Sequence, residues 1–233
     1  MNFDKAYVIG SKHLAPQRLE SFYKNNKSSS INIDLWPAVD GSKVDIERYK
    51  NDGYLTTDFK LSMPGSLGCC LSHVTLWEYC RADNNCDIAL IFEDDVVLNK
   101  NFIESLNAIP SLDIPNDWNI IKLSYKGLIG ESISGSIVKP KPVKQKGVNA
   151  GNWCYLLNTK NANKLIDIIL PYSNQISIDV IMRNNIEELK IFFTKDNLAK
   201  HDEKRYSLRK DLNKTNKKLL QNLKFKIRKY FKP

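Results

Sequence analysis

An apolar run in this 233-residue chain is broken by three consecutive acids. Residues 89–92 are apolar, Glu93, Asp94 and Asp95 follow, and residues 96–98 are apolar again. Carboxylates at the end of a core strand repel each other and resist removal from water, so a cation is needed to offset them. In extended backbone, Glu93 and Asp95 would point to one side and Asp94 away. The pattern predicts a site for a divalent metal that prefers oxygen ligands, and a solvated acidic turn is the alternative.

The cysteines and the N-terminus indicate a protein made and kept in the cytoplasm. The chain has five cysteines, an odd number without Cys-x-x-Cys spacing, so we interpret them as reduced core thiols rather than a zinc site. The first nine residues include an acid and lack the long apolar region of a signal peptide. No stretch approaches the roughly 18–20 apolar residues that cross a bilayer.

The positive charge is concentrated at the C-terminal end. The net charge is +9, and residues 203–233 alone hold twelve Lys or Arg and two acids. If this segment is helical, one face is apolar: Leu219, Leu220, Leu223, Ile227, Tyr230 and Phe231. Such a basic amphipathic helix favours an anionic membrane surface. Nucleic acid, or a solvated or partner-bound helix, remains the alternative.

Strand and helix patterns alternate along residues 1–202, which we assign to one α/β domain with a mostly parallel central sheet. The pattern predicts strands over 6–9, 31–36, 88–92, 119–123, 153–157 and 191–193. It predicts helices over 17–25, 44–49, 67–81, 101–108 and 159–169, and a short one around Asp179. Residues 124–148, rich in Gly, Ser, Lys and Pro, are expected to form a long surface loop, which often serves as a lid.

The acids lie where an α/β sheet binds ligands, at the carboxyl end of a strand. Mn²⁺ or Mg²⁺ held by carboxylates commonly also binds substrate phosphates. Neither a Walker motif nor Gly-x-Gly-x-x-Gly is present, so a metal rather than a glycine cradle would neutralise the phosphates. This combination points to nucleotide-sugar or nucleotidyl transfer.

Several segments together resemble glycosyltransferase family 25, over roughly residues 6–200. They are residues 7–9 with Arg18, residues 38–41 (Ala-Val-Asp-Gly), residues 68–77 (Gly-Cys-Cys-Leu-Ser-His…Leu-Trp), residues 92–96 (Phe-Glu-Asp-Asp-Val), residues 117–123, Tyr155 with residues 158–162, and Ile178-Asp179. Two positions depart from the family pattern: Gly10 replaces the usual Asn, and Trp153-Cys154 is bulkier than the usual residues.

The resemblance implies a GT-A-like (Rossmann-like) nucleotide-sugar-binding domain. It also implies a UDP-sugar donor, usually UDP-galactose, and inversion at the anomeric carbon. The implied acceptor is a lipooligosaccharide, lipopolysaccharide or other surface glycan, and a glycolipid acceptor would fit a protein held on the cytoplasmic face of the inner membrane.

Roles for individual residues follow from this resemblance. Asp95 is expected to bind the metal, joined by Glu93 and His201, although His201 could be a surface histidine. Asp179 is the candidate base for the acceptor hydroxyl, or else a helix cap. The donor-binding candidates are Ile9, Arg18, Ser72, His73, Glu93 and Asp94.

Four of those donor-binding candidates have alternatives, and Asp94 could serve only to orient the other two acids. His73 could be a satisfied core histidine, Ser72 a hydrogen bonder on its helix, and Arg18 the partner of a surface acid. Two other functions also remain open: a nucleotidyltransferase using the same acids, and a non-catalytic protein that binds membranes or nucleic acid through its C-terminal segment.

Overall fold

A central sheet organises the residues that the computed structural model describes, 1–111 and 114–202. The strands are β1 Lys5–Gly10, β2 Asp34–Pro37, β3 Ile88–Glu93, β4 Val96–Leu98, β5 Ile120–Lys126, β6 Gly130–Ser132, β7 Ile137–Pro140, β8 Ala150–Asn158, β9 Ile191–Thr194 and β10 Ala199–His201. The α-helices are α1 Pro16–Asn26, α2 Ile46–Asn51, α3 Pro64–Ala82, α4 Phe102–Asn107, α5 Ala162–Ile169 and α6 Ile178–Asn184. The predicted amphipathic segment, 203–233, lies outside the described residues.

Eight of the described strands form one sheet in the order β2-β1-β3-β8-β5-β9-β7-β6. The pairs β1–β2, β1–β3 and β5–β9 are parallel, whereas β8 and β7 are antiparallel to their neighbours. All strands of this sheet except β8 and β7 therefore run in the same direction. This confirms the predicted α/β class and the mostly parallel sheet. Strands β4 and β10 form a separate antiparallel pair.

The central strands of the sheet are buried on both faces because they carry apolar side chains on both sides, whereas the edge strands β2 and β6 are more exposed. On β3, Ala89 and Ile91 contact one hydrophobic cluster, and Leu90 and Phe92 contact the other. The first cluster includes residues of α3, α5 and α6, and the second includes residues of α1 and α4. The helices thus form layers on opposite faces of the sheet. Full burial of one such side chain stabilises the fold by about 1.5–3 kcal/mol.

The structure corrects the prediction for residues 124–148. They are not one surface loop, because β5 continues to Lys126 and β6 and β7 extend the edge of the sheet. Ile137 and Val138 on β7 are buried. These strands have three and four residues and are surrounded by Ser, Gly and Lys, so their periodicity is too short to stand out.

No helix among the described residues combines the length and the apolarity that crossing a bilayer requires.

Candidate functional site

A cleft of about 490 Å³ opens where β1 and β3 end. Its walls come from α1, α3, α6, β8 and β10. The cleft therefore lies at the carboxyl edge of the parallel strands, the position at which α/β sheets bind ligands. All of the predicted site residues line it: Ile9, Arg18, Ser72, His73, Glu93, Asp94, Asp95, Asp179 and His201.

The acidic triplet forms a buried turn at the floor of this cleft. Strand β3 ends at Glu93, the backbone turns at Asp94 and Asp95, and β4 begins at Val96. The prediction that Asp94 points away from Asp95 is wrong, because strict alternation requires extended backbone and the chain turns here. Asp94 and Asp95 are both buried, so the alternative of a solvated turn is also wrong.

Arg18 of α1 holds both aspartates of the turn. Its Nε donates to Asp94 Oδ1 at 2.9 Å, and a terminal nitrogen donates to Asp95 Oδ2 at 2.8 Å. The same terminal nitrogen also bonds Asp94. Arg18 therefore pairs with buried acids, not with a surface acid. The cation that makes the cluster tolerable is thus supplied in part by the protein itself.

The surroundings shift the pKa values of the two aspartates in opposite directions. Burial raises the pKa of Asp94 to about 6, against the opposing charge of Arg18. Burial also acts to raise the pKa of Asp95, but the hydrogen bond from His201 and the charge of Arg18 outweigh it and lower that pKa below its usual range. Asp95 is therefore the aspartate that the surroundings favour as a carboxylate.

His201 reaches Asp95 through the pairing of β10 with β4. Its Nε2 lies 3.3 Å from Asp95 Oδ2, and Trp153 of β8 stacks on its ring with centroids 4.2 Å apart and planes at 10°. His201 is consequently part of the cleft rather than a surface histidine. Its role as a metal ligand stays a prediction.

His73 on α3 contacts the remaining acid. Its Nε2 lies 3.5 Å from Glu93 Oε1, and its Nδ1 lies 2.7 Å from the Tyr155 hydroxyl, which accepts a bond from Trp77 Nε1 at 2.8 Å. His73 is buried and hydrogen-bonded, as a core histidine would be, yet it also lines the cleft. The core-histidine interpretation therefore holds, and contact of His73 with a nucleotide stays a prediction.

The residues fit a hard divalent cation at Asp95. Asp95 Oδ1 is buried and has no hydrogen-bond partner among the residues that the structure describes. An unsatisfied carboxylate oxygen in a buried site is costly, and a metal or a ligand donor would satisfy it. Among the described residues that line the cleft, the four carboxyl side chains exceed the two basic ones, Arg18 and Lys126, so negative charge remains. The three predicted metal ligands do not all contact one another, however. His201 contacts Asp95, whereas Glu93 contacts His73.

Ser72 joins α3 to the segment that follows β2. Its hydroxyl accepts from Val39 N at 2.8 Å and donates to Gly68 O at 2.6 Å. Gly41 and Gly68 allow this close approach, because a Cβ on Gly68 would lie 2.4 Å from Val39 O. Ser72 therefore shapes the wall of the cleft through backbone contacts, as the helix-face interpretation expects.

The end of β1 lies beside the acidic turn. Ile9 pairs with Glu93 in the sheet register and lines the cleft. A Cβ on Gly10 would lie 3.0 Å from Leu19 Cδ1 and 3.4 Å from Asp94 Cβ. The small residue at position 10 thus leaves little spare room between α1 and the turn.

Asp179 occupies the first turn of α6 and faces the cleft. The N-cap position belongs to Ser177, whose hydroxyl donates to Asp179 Oδ1. Asp179 is therefore not the N-cap residue, and the structure orients its carboxylate through Ser177.

Among the described residues that line the cleft, sequence reasoning missed several with polar side chains, including Ser11, Cys69, Lys126 and Asn152. Lys126 ends β5, so the rule that placed the acids at a strand end could also have found it. Asn152 is a buried polar residue within an otherwise apolar strand, which is a usable signal. Cys69 was grouped with the core thiols. None of the five cysteines forms a disulfide in the structure, and Cys69 is only partly buried.

Residues 3–182 match the model of glycosyltransferase family 25, described as LPS biosynthesis protein. The chain is 24% identical over 175 residues to a glycosyltransferase 25 family member of Aedes aegypti, covering 72% of this chain and 28% of that protein. It is 23% identical over 214 residues to procollagen galactosyltransferase 2 of Homo sapiens, covering 87% of this chain and 32% of that protein. The chain thus spans about a third of the length of these relatives.

Two solved structures resemble the fold at low identity. One is a Drosophila galactosyltransferase 7 in complex with manganese, UDP-Gal and xylobiose, with a TM-score of 0.43, 12% identity, and 87% of this chain and 71% of that chain covered. The other is the galactosyltransferase LgtC in complex with donor and acceptor sugar analogs, with a TM-score of 0.42, 11% identity, and 91% and 95% covered.

The family match covers more than half of the chain and includes every segment that builds the cleft except β10. It therefore confirms the resemblance that the sequence motifs carry. The protein belongs to glycosyltransferase family 25.

Proposed function

We propose that this protein is a metal-dependent inverting glycosyltransferase. It moves a hexose, galactose from UDP-galactose, to a lipooligosaccharide, lipopolysaccharide or other surface-glycan acceptor. The observation that carries the proposal is the buried acidic turn in the cleft, with Asp95 Oδ1 lacking a partner among the described residues. The family description names LPS biosynthesis, and relatives are named galactosyltransferases, which supports this acceptor and this sugar.

On the donor side, Asp95 and Glu93 would hold Mn²⁺ or Mg²⁺, with His201 beside Asp95. The bound ion would supply Lewis-acid stabilisation of the UDP leaving group. Arg18 keeps Asp94 and Asp95 together at the floor of the cleft. Ile9, Ser72 and His73 line the walls in which the nucleotide would lie.

On the acceptor side, Asp179 acts as the base. Inverting transfer is a single displacement, so a carboxylate must take the proton of the attacking hydroxyl. Asp179 faces the cleft, and the bond from Ser177 fixes one of its oxygens.

For localisation, we propose a protein of the cytoplasm that binds the inner face of the membrane through residues 203–233. The sequence pattern of that segment supports this proposal. A membrane-bound acceptor would then lie within reach of the cleft.

The test is to incubate the full-length protein with Mn²⁺ and a panel of UDP-sugars and acceptor glycans, and to measure the release of UDP. We expect UDP release that EDTA abolishes. Asp95→Asn should lower turnover at least about a hundredfold, since several kcal/mol of transition-state stabilisation are lost. Asp179→Asn should lower turnover by roughly 10²–10⁴ while UDP affinity is retained.

Asp87→Asn is the matched control, because Asp87 precedes the other end of β3 and is exposed. It should leave turnover unchanged. Release of pyrophosphate from a nucleoside triphosphate would instead identify a nucleotidyltransferase. Equal turnover in the Asp95 and Asp87 variants would contradict the proposal.

A further inference from the structure

Cys69, His73 and Glu93 form a compact group of potential metal ligands inside the cleft. Their ligand atoms all lie within 4.8 Å of one another. Cys69 and His73 are four residues apart on α3, so they share one face of that helix, and Glu93 ends β3 beside it. All three residues line the cleft. Two different elements therefore bring a sulfur, a nitrogen and an oxygen to one point.

This set of ligands suits zinc better than the ions proposed for Asp95. Thiolate, imidazole and carboxylate bind Zn²⁺ at about 2.0–2.3 Å, which places tetrahedral ligand atoms roughly 3.5 Å apart. The His73–Glu93 distance of 3.5 Å already matches. Soft thiolate ligands favour zinc, whereas Mn²⁺ and Mg²⁺ favour carboxylate, carbonyl and water oxygens.

Hydrogen bonding on the side away from Glu93 also fixes the orientation of the His73 ring. Its Nδ1 lies 2.7 Å from the Tyr155 hydroxyl, which Trp77 in turn holds by a 2.8 Å bond. An outer partner on the second ring nitrogen is the usual arrangement for a metal-binding histidine, because it fixes the ring and the tautomer. All three aromatic side chains of this arrangement are buried, so the ring has little freedom to turn away.

We propose that Cys69, His73 and Glu93 bind Zn²⁺ and that this ion inhibits the transferase. Binding releases one proton, from the Cys69 thiol, while neutral His73 and the Glu93 carboxylate each donate a lone pair. Three protein ligands leave the fourth position open to the cleft. Bound Zn²⁺ would engage Glu93, which the donor-site metal is proposed to use, and would fill part of the cleft. The inhibitory half of this proposal rests on the function proposed above.

The binding half is tested without any turnover. The full-length protein, freed of metal with EDTA, is titrated with Co²⁺ as a spectroscopic substitute for zinc, and then with Zn²⁺ by calorimetry. We expect a thiolate-to-cobalt charge-transfer absorption with one equivalent of Co²⁺, which Zn²⁺ displaces. Cys69→Ala should remove the band and weaken zinc binding by roughly tenfold or more, since even partners outside the ligand set contribute that much.

Cys70→Ala is the matched control, because Cys70 is the next residue on α3 but is fully buried and does not line the cleft. It should keep the band. Circular dichroism verifies that both variants fold. A wild-type titration without the charge-transfer band, or an equal band in the Cys69 variant, would overturn the zinc site.

The inhibitory half is measured as the ratio of UDP release with and without Zn²⁺ at fixed Mn²⁺, within each variant. Zinc should inhibit the wild type and the Cys70 variant and spare the Cys69 variant. Equal inhibition of all three would overturn the inhibitory role. If no variant turns over any UDP-sugar, the proposed function fails while the cobalt spectrum still decides the zinc site.

Discussion

Arg18 lies 2.8 Å from Asp95 Oδ2 and also binds Asp94, so one guanidinium serves two buried carboxylates. Removing one partner of a buried ion pair leaves the other charge uncompensated, which costs far more than the pair contributes. We expect Arg18→Ala to lower the free energy of unfolding by roughly 3–5 kcal/mol, measured by urea denaturation at pH 7. Arg48→Ala is the control, because Arg48 forms an exposed pair with Asp52, and it should cost under about 1 kcal/mol. Similar losses in the two variants would show that Arg18 does not stabilise the turn.

Lys122 is a second buried basic side chain, and its surroundings disfavour its charged form. Its ammonium is fully buried, lies 5.4 Å from the centroid of the Phe193 ring, and has no hydrogen-bond partner among the described residues. Burial lowers its pKa to about 8, although the charges of Asp179 and Glu93 act to raise it. The folded state therefore loses this proton at lower pH than the unfolded chain does.

The sign of the resulting pH dependence follows from proton binding. Between about pH 8 and the unfolded pKa of about 10.4, the unfolded state holds more protons, so stability attributable to Lys122 rises with pH. We expect Lys122→Met to be more stable than the wild type at pH 7, by on the order of 3 kcal/mol, because no ammonium is buried. The advantage should disappear by about pH 10.5. Thermal unfolding at both pH values measures it, and a difference that is constant with pH would contradict the prediction.

At the scale of elements, the approach of α3 to the segment after β2 fixes one wall of the cleft. Glycine is less favourable than alanine within a helix by about 1 kcal/mol, so propensity alone predicts that Gly68→Ala stabilises α3. The packing predicts the opposite, because the new Cβ would lie 2.4 Å from Val39 O and 2.9 Å from Gly41 N. We expect a loss of about 1–3 kcal/mol, measured as a lower melting temperature.

Gly135→Ala provides the control for that substitution. A Cβ at Gly135 would meet no atom within 4 Å, so the melting temperature should hardly change. If Gly68→Ala raised the melting temperature, helix propensity rather than the contact with Val39 would control this wall.

The sequence predicted the elements whose periodicity is long and whose ends carry clear signals. Pro16 and Pro64 lie in the first turns of α1 and α3, as expected of proline, and the buried strands β1, β3 and β9 were located within one or two residues. The reversed direction of β8 has no local signal, because its apolar side chains fit either pairing. Strands β4 and β10 have only three residues each, and they form because they pair with each other.

The sequence predicted several residues that share the cleft, but not their contacts. The motifs and strand ends selected nine side chains, and the structure places all nine in one cleft, whereas their roles stay predictions. The contacts of Asp95 depend on the turn at Asp94 and on the pairing of β10 with β4, which is distant in sequence. Together these features bring Arg18 and His201 to Asp95. Neither feature follows from local spacing.

At the scale of the whole molecule, the basic segment follows directly after the cleft. His201 belongs to the cleft, and the residues from 203 onward carry twelve Lys or Arg and two acids. Each cation near an anionic lipid surface contributes about 1 kcal/mol, and the effect is screened by salt. The proposed membrane-binding segment therefore begins two residues after His201, which lines the cleft.

This arrangement predicts that membrane binding and turnover can be separated. In the full-length protein, changing Leu219, Leu223 and Ile227 to Ser should abolish sedimentation with vesicles that contain anionic lipid, because the apolar contribution is lost. UDP release on a soluble acceptor should remain near the wild-type rate.

Changing Asn213, Asn216 and Gln221 to Ser, which alters the same number of residues without touching the apolar positions, should leave both properties intact. Wild-type sedimentation should weaken as salt rises and be absent with purely zwitterionic vesicles. If the Leu/Ile variant still sediments, or if nucleic acid competes with the vesicles for the wild type, the membrane role of this segment is wrong.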